Sequence, residues 1–363
     1  MCALLVFTAC GINFSFGVYQ EHYDTLGGPF RDATSGQISV IGTLASSMMM
    51  IGAPAVDPLV RWYGTPAAVT LSGILFVVSG LAASFGTHLW HFQLAQGFLQ
   101  GCAACLAYIP AVVIAPRLFP AHRGLATGVV TSGTGLGGVM WAPLLRHALT
   151  RLGYRTTLVF AGLFAGVLIF SAATALLRVD TLPLNQEHSN RSNNDECPQS
   201  TEIQQPRILL AHVMASSFQS AAYFTPIYFM SSLARSLGFS EISGANIIAL
   251  CNLCNCAGKI LVGHAADKVG RLKLLSISTT VSALATFGIA AAATSPLPLS
   301  AQRTSLLLYA VTYGSSAGAY VALLPTAMID QFGVSGFAKI NGTLYMYRGI
   351  GALAGTFIAG SLM

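Results

Sequence analysis

GKILVGHAADKVGR, running from Gly258 to Arg271, has a weaker echo earlier in the chain, GAPAVDPLVRWYG, from Gly52 to Gly64. In both, two glycines stand twelve residues apart and enclose an apolar run that ends in charge. At that end stand Asp267 and Lys268 in one copy, with Arg271 just past the second glycine and Lys259 at the start of the run, and Asp57 and Arg61 in the other. Aligning the glycines sets Arg61 against Asp267 and leaves Asp57 out of register, so the first copy is degenerate. Each copy closes the second apolar stretch of its half of the chain. Such an echo reads as two related halves, and the flanking apolar stretches of roughly 20 residues read as membrane spans.

The composition points the same way. Of 363 residues, 54% are hydrophobic and 8% charged, against roughly 25% charged in a soluble domain. So few charges cannot clothe a water-facing surface, and lipid is the solvent that accepts the remainder. Glycine is abundant at 37 residues, as close helix packing in lipid requires. The net charge of +6 is spread without a basic run, which argues against nucleic acid as a partner. Seven of the eight cysteines lie in apolar stretches, with Cys197 alone in a polar one. Neither Cys102/Cys105 nor Cys251/Cys254/Cys256 offers four ligands in a charge-tolerant pocket, so no metal and no cofactor is expected. These cysteines read as small apolar residues at helix contacts.

Eleven apolar stretches can be counted, at 2–20, 36–57, 66–86, 91–115, 122–146, 155–177, 207–232, 241–263, 273–293, 304–328 and 337–361. The polar segment 178–206 is rich in Asn, Ser, Gln and Glu and is expected to be an irregular linker. It divides the chain into a six-helix bundle, 1–177, and a C-terminal bundle of five apparent helices, 207–363. Its Asn190 sequon reads as chance in a polar linker. With the N-terminus placed in the cytosol, ten Lys and Arg fall in cytosolic loops and six in outer ones. That bias favours this orientation and puts the linker in the cytosol. The expectation is an all-α, multi-pass membrane protein, in the plasma membrane or an internal one.

The segment Gly258 to Arg271 resembles the loop signature of the major facilitator superfamily. The resemblance implies a fold of two pseudo-symmetric helical bundles, with Asp267 and Arg271 as a charge-relay gate on the cytosolic side. RLFPAHRGLATGVVTSGTGLGG, Arg117 to Gly138, resembles the span-five signature of the monocarboxylate porter family. Phe119, Arg123, Leu125, Ala126 and Gly128 fit it, whereas Leu118 replaces an aromatic and Pro120-Ala121 replaces two basic residues. INFSFGVYQEHY, Ile12 to Tyr23, and NGTLYMYRGIGALAGTFIAG, Asn341 to Gly360, are most similar to fungal members. The family's acidic-Gly-Gly segment ahead of the first span and its twelfth span are missing here, so a shortened or atypical member is expected.

None of the twelve carboxylates falls mid-span, and the eight histidines also avoid span centres. An intramembrane enzyme would need a nucleophile–base or metal constellation at depth, so enzymatic function is not expected. Proton-coupled monocarboxylate porters are similar to one another in using a Lys in span one, and an Asp followed four residues later by an Arg in span eight. The resemblance places Asn13, Asn255 and Lys259 at those positions. An amide does not titrate, so proton symport by that route is not expected. Arg348 lies about eleven residues into its stretch, roughly 16 Å deep at 1.5 Å per residue. Asn341, Tyr345 and Arg348 share one helix face. That face reads either as an anion contact or as an Arg bonded to the backbone of a neighbouring helix. Lys259, a turn or so from the end of its stretch, reads either as a snorkelling residue or as a substrate contact. Polar stripes carry Tyr108, Tyr223, Asn255 and Tyr320 inward, as cavity lining or as interhelical hydrogen bonds. The candidate substrate site is thus Asn13, Tyr108, Tyr223, Asn255, Lys259, Tyr320, Tyr345 and Arg348.

The functional expectation is a transporter that moves a small organic anion or amphipathic metabolite by alternating access, with efflux of a biosynthetic product as its direction. Proton-coupled monocarboxylate uptake is the second reading, and a non-transporting truncated relic the third. The expected partners are a small-molecule substrate and the lipid bilayer. The sequence leaves a single-pass chaperone open.

Overall fold

The computed structural model describes residues 1–24, 29–30, 33–180, 206–296 and 298–361. Most of the expected linker, with Cys197 and the Asn190 sequon, lies outside the described residues. Among the described residues every regular element is helical, as lipid demands of a backbone that cannot bond to water. We number eleven helical segments α1 to α11. They are α1 (Cys2–Asp24), α2 (35–63), α3 (Thr65–Ser84), α4 (Leu89–Leu118), α5 (123–152), α6 (154–180), α7 (Pro206–Ser236), α8 (Glu241–Val269), α9 (271–294), α10 (299–332) and α11 (334–361). Each coincides with one of the apolar stretches. Among the described residues seven helical runs, with α5 and α6 counted as one, are long and apolar enough to cross a membrane, eight if the bent α2 counts as one span.

The breaks have local causes. Helix α2 bends by 52° at Gly52, where Pro54 removes a helical N–H. Its N-terminus is fixed by a capping box in which Thr34 and Gln37 exchange side-chain and backbone bonds. Gly153 (φ 76°) and Gly333 (φ 78°) interrupt two long helical runs in a backbone region that other residues rarely enter. Each run folds back there as a hairpin. Trp141 and Phe164 meet across the first break with ring centroids 5.4 Å apart. Across the second, the Arg348 guanidinium lies 5.3 Å from the Tyr320 ring centroid.

Small residues set the packing. Gly80 of α3 meets Gly162 of α6, and Gly11 of α1 meets Gly137 of α5. In the second half Gly258 of α8 sits on Ser315 of α10, and Gly351 of α11 on Ser217 of α7. In lipid such contacts replace the hydrophobic effect as the force joining helices. The outward faces are apolar and open, with Phe85, Phe218, Phe287 and Leu261 well exposed, as a lipid-facing surface should be.

The two bundles, α1–α6 and α7–α11, meet along two seams. In one, Gly124, Gly128 and Gly135 of α5 press against Gly263, Lys259 and Asn252 of α8. In the other, Gly342 and Gly349 of α11 press against Pro54 and Ile51 of α2. These contacts run from the end of the molecule nearest the linker to about mid-helix. The linker end is therefore the closed end.

The structure corrects one expectation. Lys259 is not near a helix end. Helix α8 continues to Val269, well past the apolar stretch, because its last turns are packed against α5 rather than set in the interface. Lys259 is fully buried. It does not snorkel.

Candidate functional site

Arg348 is the centre of the buried polar cluster. It stands halfway along α11 with no exposed surface. Its Nη2 donates to Gln219 Oε1 of α7 at 3.2 Å. Its guanidinium lies 5.3 Å from the Tyr320 ring centroid and 5.4 Å from that of Tyr345. Among the described residues its Nε and Nη1 have no hydrogen-bond partner. Two ring contacts of about 1–2 kcal/mol each do not offset burying a full charge, which costs several. An Arg held this way favours an anion.

The neighbouring candidates gather around it unevenly. The Tyr345 and Tyr108 hydroxyls approach to 3.3 Å, joining α11 to α4 of the other bundle. Asn255 Nδ2 donates to Tyr223 Oη at 3.4 Å, and Tyr313 Oη donates to the Tyr223 carbonyl at 3.0 Å. Gln219 and Tyr223 occupy adjacent turns of α7, as Asn255 and Lys259 do on α8. Lys259 faces the α5 seam, its Nζ donating to the Thr131 carbonyl at 3.2 Å and to Thr134 Oγ1. Asn13 is buried on the opposite side of the molecule's midline. It accepts from Gln100 Nε2 at 3.1 Å and its amide touches Met49 Sδ at 3.8 Å. Among the described residues no carboxylate forms an ion pair with Arg348 or Lys259. The sequence-derived set thus divides into a group around Arg348, the seam residue Lys259, and Asn13 on the first bundle.

The charged network at the linker end is more extensive than the sequence indicated. Asp267 Oδ1 accepts from the Gly124 amide at 2.8 Å, and Oδ2 from the Leu125 amide at 2.9 Å. Those amides open α5, where the first-turn N–H groups lack helical partners and favour negative charge. Asp267 therefore caps a helix of the opposite bundle. Arg271 donates to Asp267 through Nε and Nη2, at 3.1 and 2.9 Å. Its Nη1 also reaches both oxygens of Asp330 on α10, at 2.7 and 2.8 Å. Arg123 of α5 reaches Asp330 at 3.4 Å. Sequence reasoning named Asp267 and Arg271 and missed Asp330, which carries no local mark and lies far from Arg271 in the chain. In the first-half copy Asp57 and Arg61 pair at 3.0 Å on their own helix.

Comparison with known proteins gives the same answer as this geometry. The sequence model of the Major Facilitator Superfamily matches residues 1–361. The MFS-type transporter pynF of Aspergillus niger is 26% identical over 366 residues, covering 99% of this chain and 79% of that protein. Monocarboxylate transporter 13 of Bos taurus is 26% identical over 356 residues, 97% of this chain and 79% of its own length. Among solved structures, the proton:xylose symporter XylE bound to 6-bromo-6-deoxy-D-glucose superposes with a TM-score of 0.73 at 15% identity. That match covers 99% of this chain and 87% of XylE. With two helical bundles, glycine seams and a cross-bundle carboxylate cap alongside these likenesses, the chain belongs to the Major Facilitator Superfamily and is a multi-pass membrane transporter rather than an enzyme.

Proposed function

We propose that this transporter carries a small organic anion or an amphipathic acid through a mid-membrane site anchored by Arg348. The observation that carries the reading is a fully buried guanidinium that has, among the described residues, two nitrogens without a hydrogen-bond partner and no ion-paired carboxylate. The cargo supplies the missing negative charge. Tyr108, Tyr320 and Tyr345 supply aromatic walls, which suits an amphipathic body. The linker end is the cytosolic end in this reading, as the Lys and Arg bias suggests. Asp267, Arg271 and Asp330 then form the cytosolic gate, closed in this conformation. Transport is rocking of the two bundles about the site, at the plasma membrane and in the efflux direction. The monocarboxylate and MFS-type relatives support the substrate class and the transport mode.

The test is flux of a radiolabelled organic acid in proteoliposomes of the full chain. Arg348→Gln should lower transport of anionic cargo about tenfold, the cost of a lost charge-assisted hydrogen bond. Flux should run down the cargo gradient without an imposed pH gradient, because Asn13 and Asn255 bear no proton to exchange. Unchanged anion flux in Arg348→Gln would remove the anchor.

A second reading, proton-coupled uptake, gains from one observation. Lys259 is fully buried with no ion-paired carboxylate among the described residues, and an amine, unlike the amides of Asn13 and Asn255, is a proton-binding group. Accumulation driven by a pH gradient alone, and lost in Lys259→Gln, would replace the gradient-driven reading with this one.

A further inference from the structure

Asn341 and Arg348 lie seven residues apart on one face of α11, and both are fully buried. A rise of 1.5 Å per residue separates them by about 10 Å along the helix. Among the described residues, both ends of the Asn341 side chain, Nδ2 and Oδ1, lack a hydrogen-bond partner, as do Nε and Nη1 of Arg348. Buried amides are normally bonded at donor and acceptor alike. Between the two unsatisfied groups stands Tyr345, its ring edge-on to Tyr108 with centroids 5.8 Å apart. Along one face, then, α11 presents a cation, an aromatic wall and an amide with both functions free.

We propose that Asn341 is a second cargo anchor. It selects organic acids that carry a hydroxyl or amide group at the far end of a flat apolar body from the carboxylate. The inference rests on the Arg348 reading above. A hydroxyl both donates and accepts, so one group satisfies both atoms of the Asn341 amide. An analogue lacking it leaves the amide buried and unbonded when the site closes, and sites built to bond a hydroxyl reject such analogues strongly.

The test is equilibrium binding to the purified full chain, with 3-(4-hydroxyphenyl)propanoate and 3-phenylpropanoate as probes. The wild-type protein should bind the hydroxy acid at least about tenfold more tightly. Asn341→Leu should bring the two affinities together while keeping that for 3-phenylpropanoate, and Asn341→Ala should do the same with less bulk. Arg348→Gln should weaken both. If the wild-type protein binds the two acids alike, or if either Asn341 variant keeps the preference, the inference is overturned while the Arg348 anchor stands. The wild-type comparison decides this even where a variant does not fold. If neither acid binds, or if Arg348→Gln binds both as the wild type does, the anion reading falls and the inference falls with it.

Discussion

The two echo segments began as one pattern and do different work. Each has glycines at the same spacing, and each has an Asp paired with an Arg four residues on, at 3.0 Å for Asp57 and Arg61 and 2.9 Å for Asp267 and Arg271. In the first half the pair is turned to solvent, with the Arg61 side chain 66% exposed. In the second half the Asp267 side chain is 5% exposed and holds two backbone amides of the other bundle. The same local pair is a surface ornament in one place and a clasp in the other. What differs is the helix end that faces it. An ion pair acquires structural weight when one partner also satisfies groups with no other recourse, here the first amides of α5.

If that is right, closing the α5–α8 seam matters more than any one salt bridge, and a block in the seam should have the largest effect. A Cβ on Gly128 would collide with the Lys259 backbone carbonyl, which cannot move without shifting α8. Gly128→Val is predicted to abolish transport while the protein still inserts in the membrane. Gly153→Ala is the control. It meets open space and only the strain of a positive φ, about 1–2 kcal/mol, so transport should continue. Flux at matched surface abundance checks both. Equal loss in the two variants would mean that general helix destabilisation, not the seam, is being measured.

Removing the clasp alone should come next. Asp267→Asn keeps the shape but replaces one acceptor oxygen with a donor, facing either the Gly124 or the Leu125 amide. It also removes the charge opposite Arg271. Breaking a largely buried pair of this kind costs about 3–5 kcal/mol. The cost falls on the state closed at the linker end, so transport should drop by a factor of ten or more with membrane insertion unchanged. Full transport at normal surface abundance would deny Asp267 a gating role.

How much of this was legible in the sequence follows from what marks a residue. The eleven helices were visible because lipid requires long apolar runs, and the loop signature was visible because glycines and charges recur at fixed spacing. The depth of Arg348 could be counted. The depth of Lys259 could not, because the apolar run stops near Gly263 while the helix continues to Val269 against α5. Partners drawn from the backbone leave no sequence trace, so nothing in Gly124 or Leu125 announced that their amides would receive Asp267. Asp330 looked like one more carboxylate at a span end. Its value comes from α10 ending beside Arg271 and Arg123, a juxtaposition that only the folded chain supplies. The pairing of Tyr108 with Tyr345 across the bundles was hidden for the same reason.

The smallest effect should come from the first-half pair, and there the comparison is easiest to break. Asp57→Asn removes an exposed i,i+4 ion pair whose Arg partner is mostly in solvent. Such pairs contribute about 0–1 kcal/mol and are screened further by salt. Among the described residues Asp57 forms no other ion pair, and its charge acts otherwise only at longer range on Arg117 of α4. Flux and thermal stability of Asp57→Asn should therefore match the wild type within about 0.5 kcal/mol, and the small residual should vanish at high ionic strength. A transport loss approaching that of Asp267→Asn would show that Asp57 engages the opposite bundle when the molecule opens at its linker end. The two copies would then be alternate clasps, each holding one state, instead of a clasp and a relic.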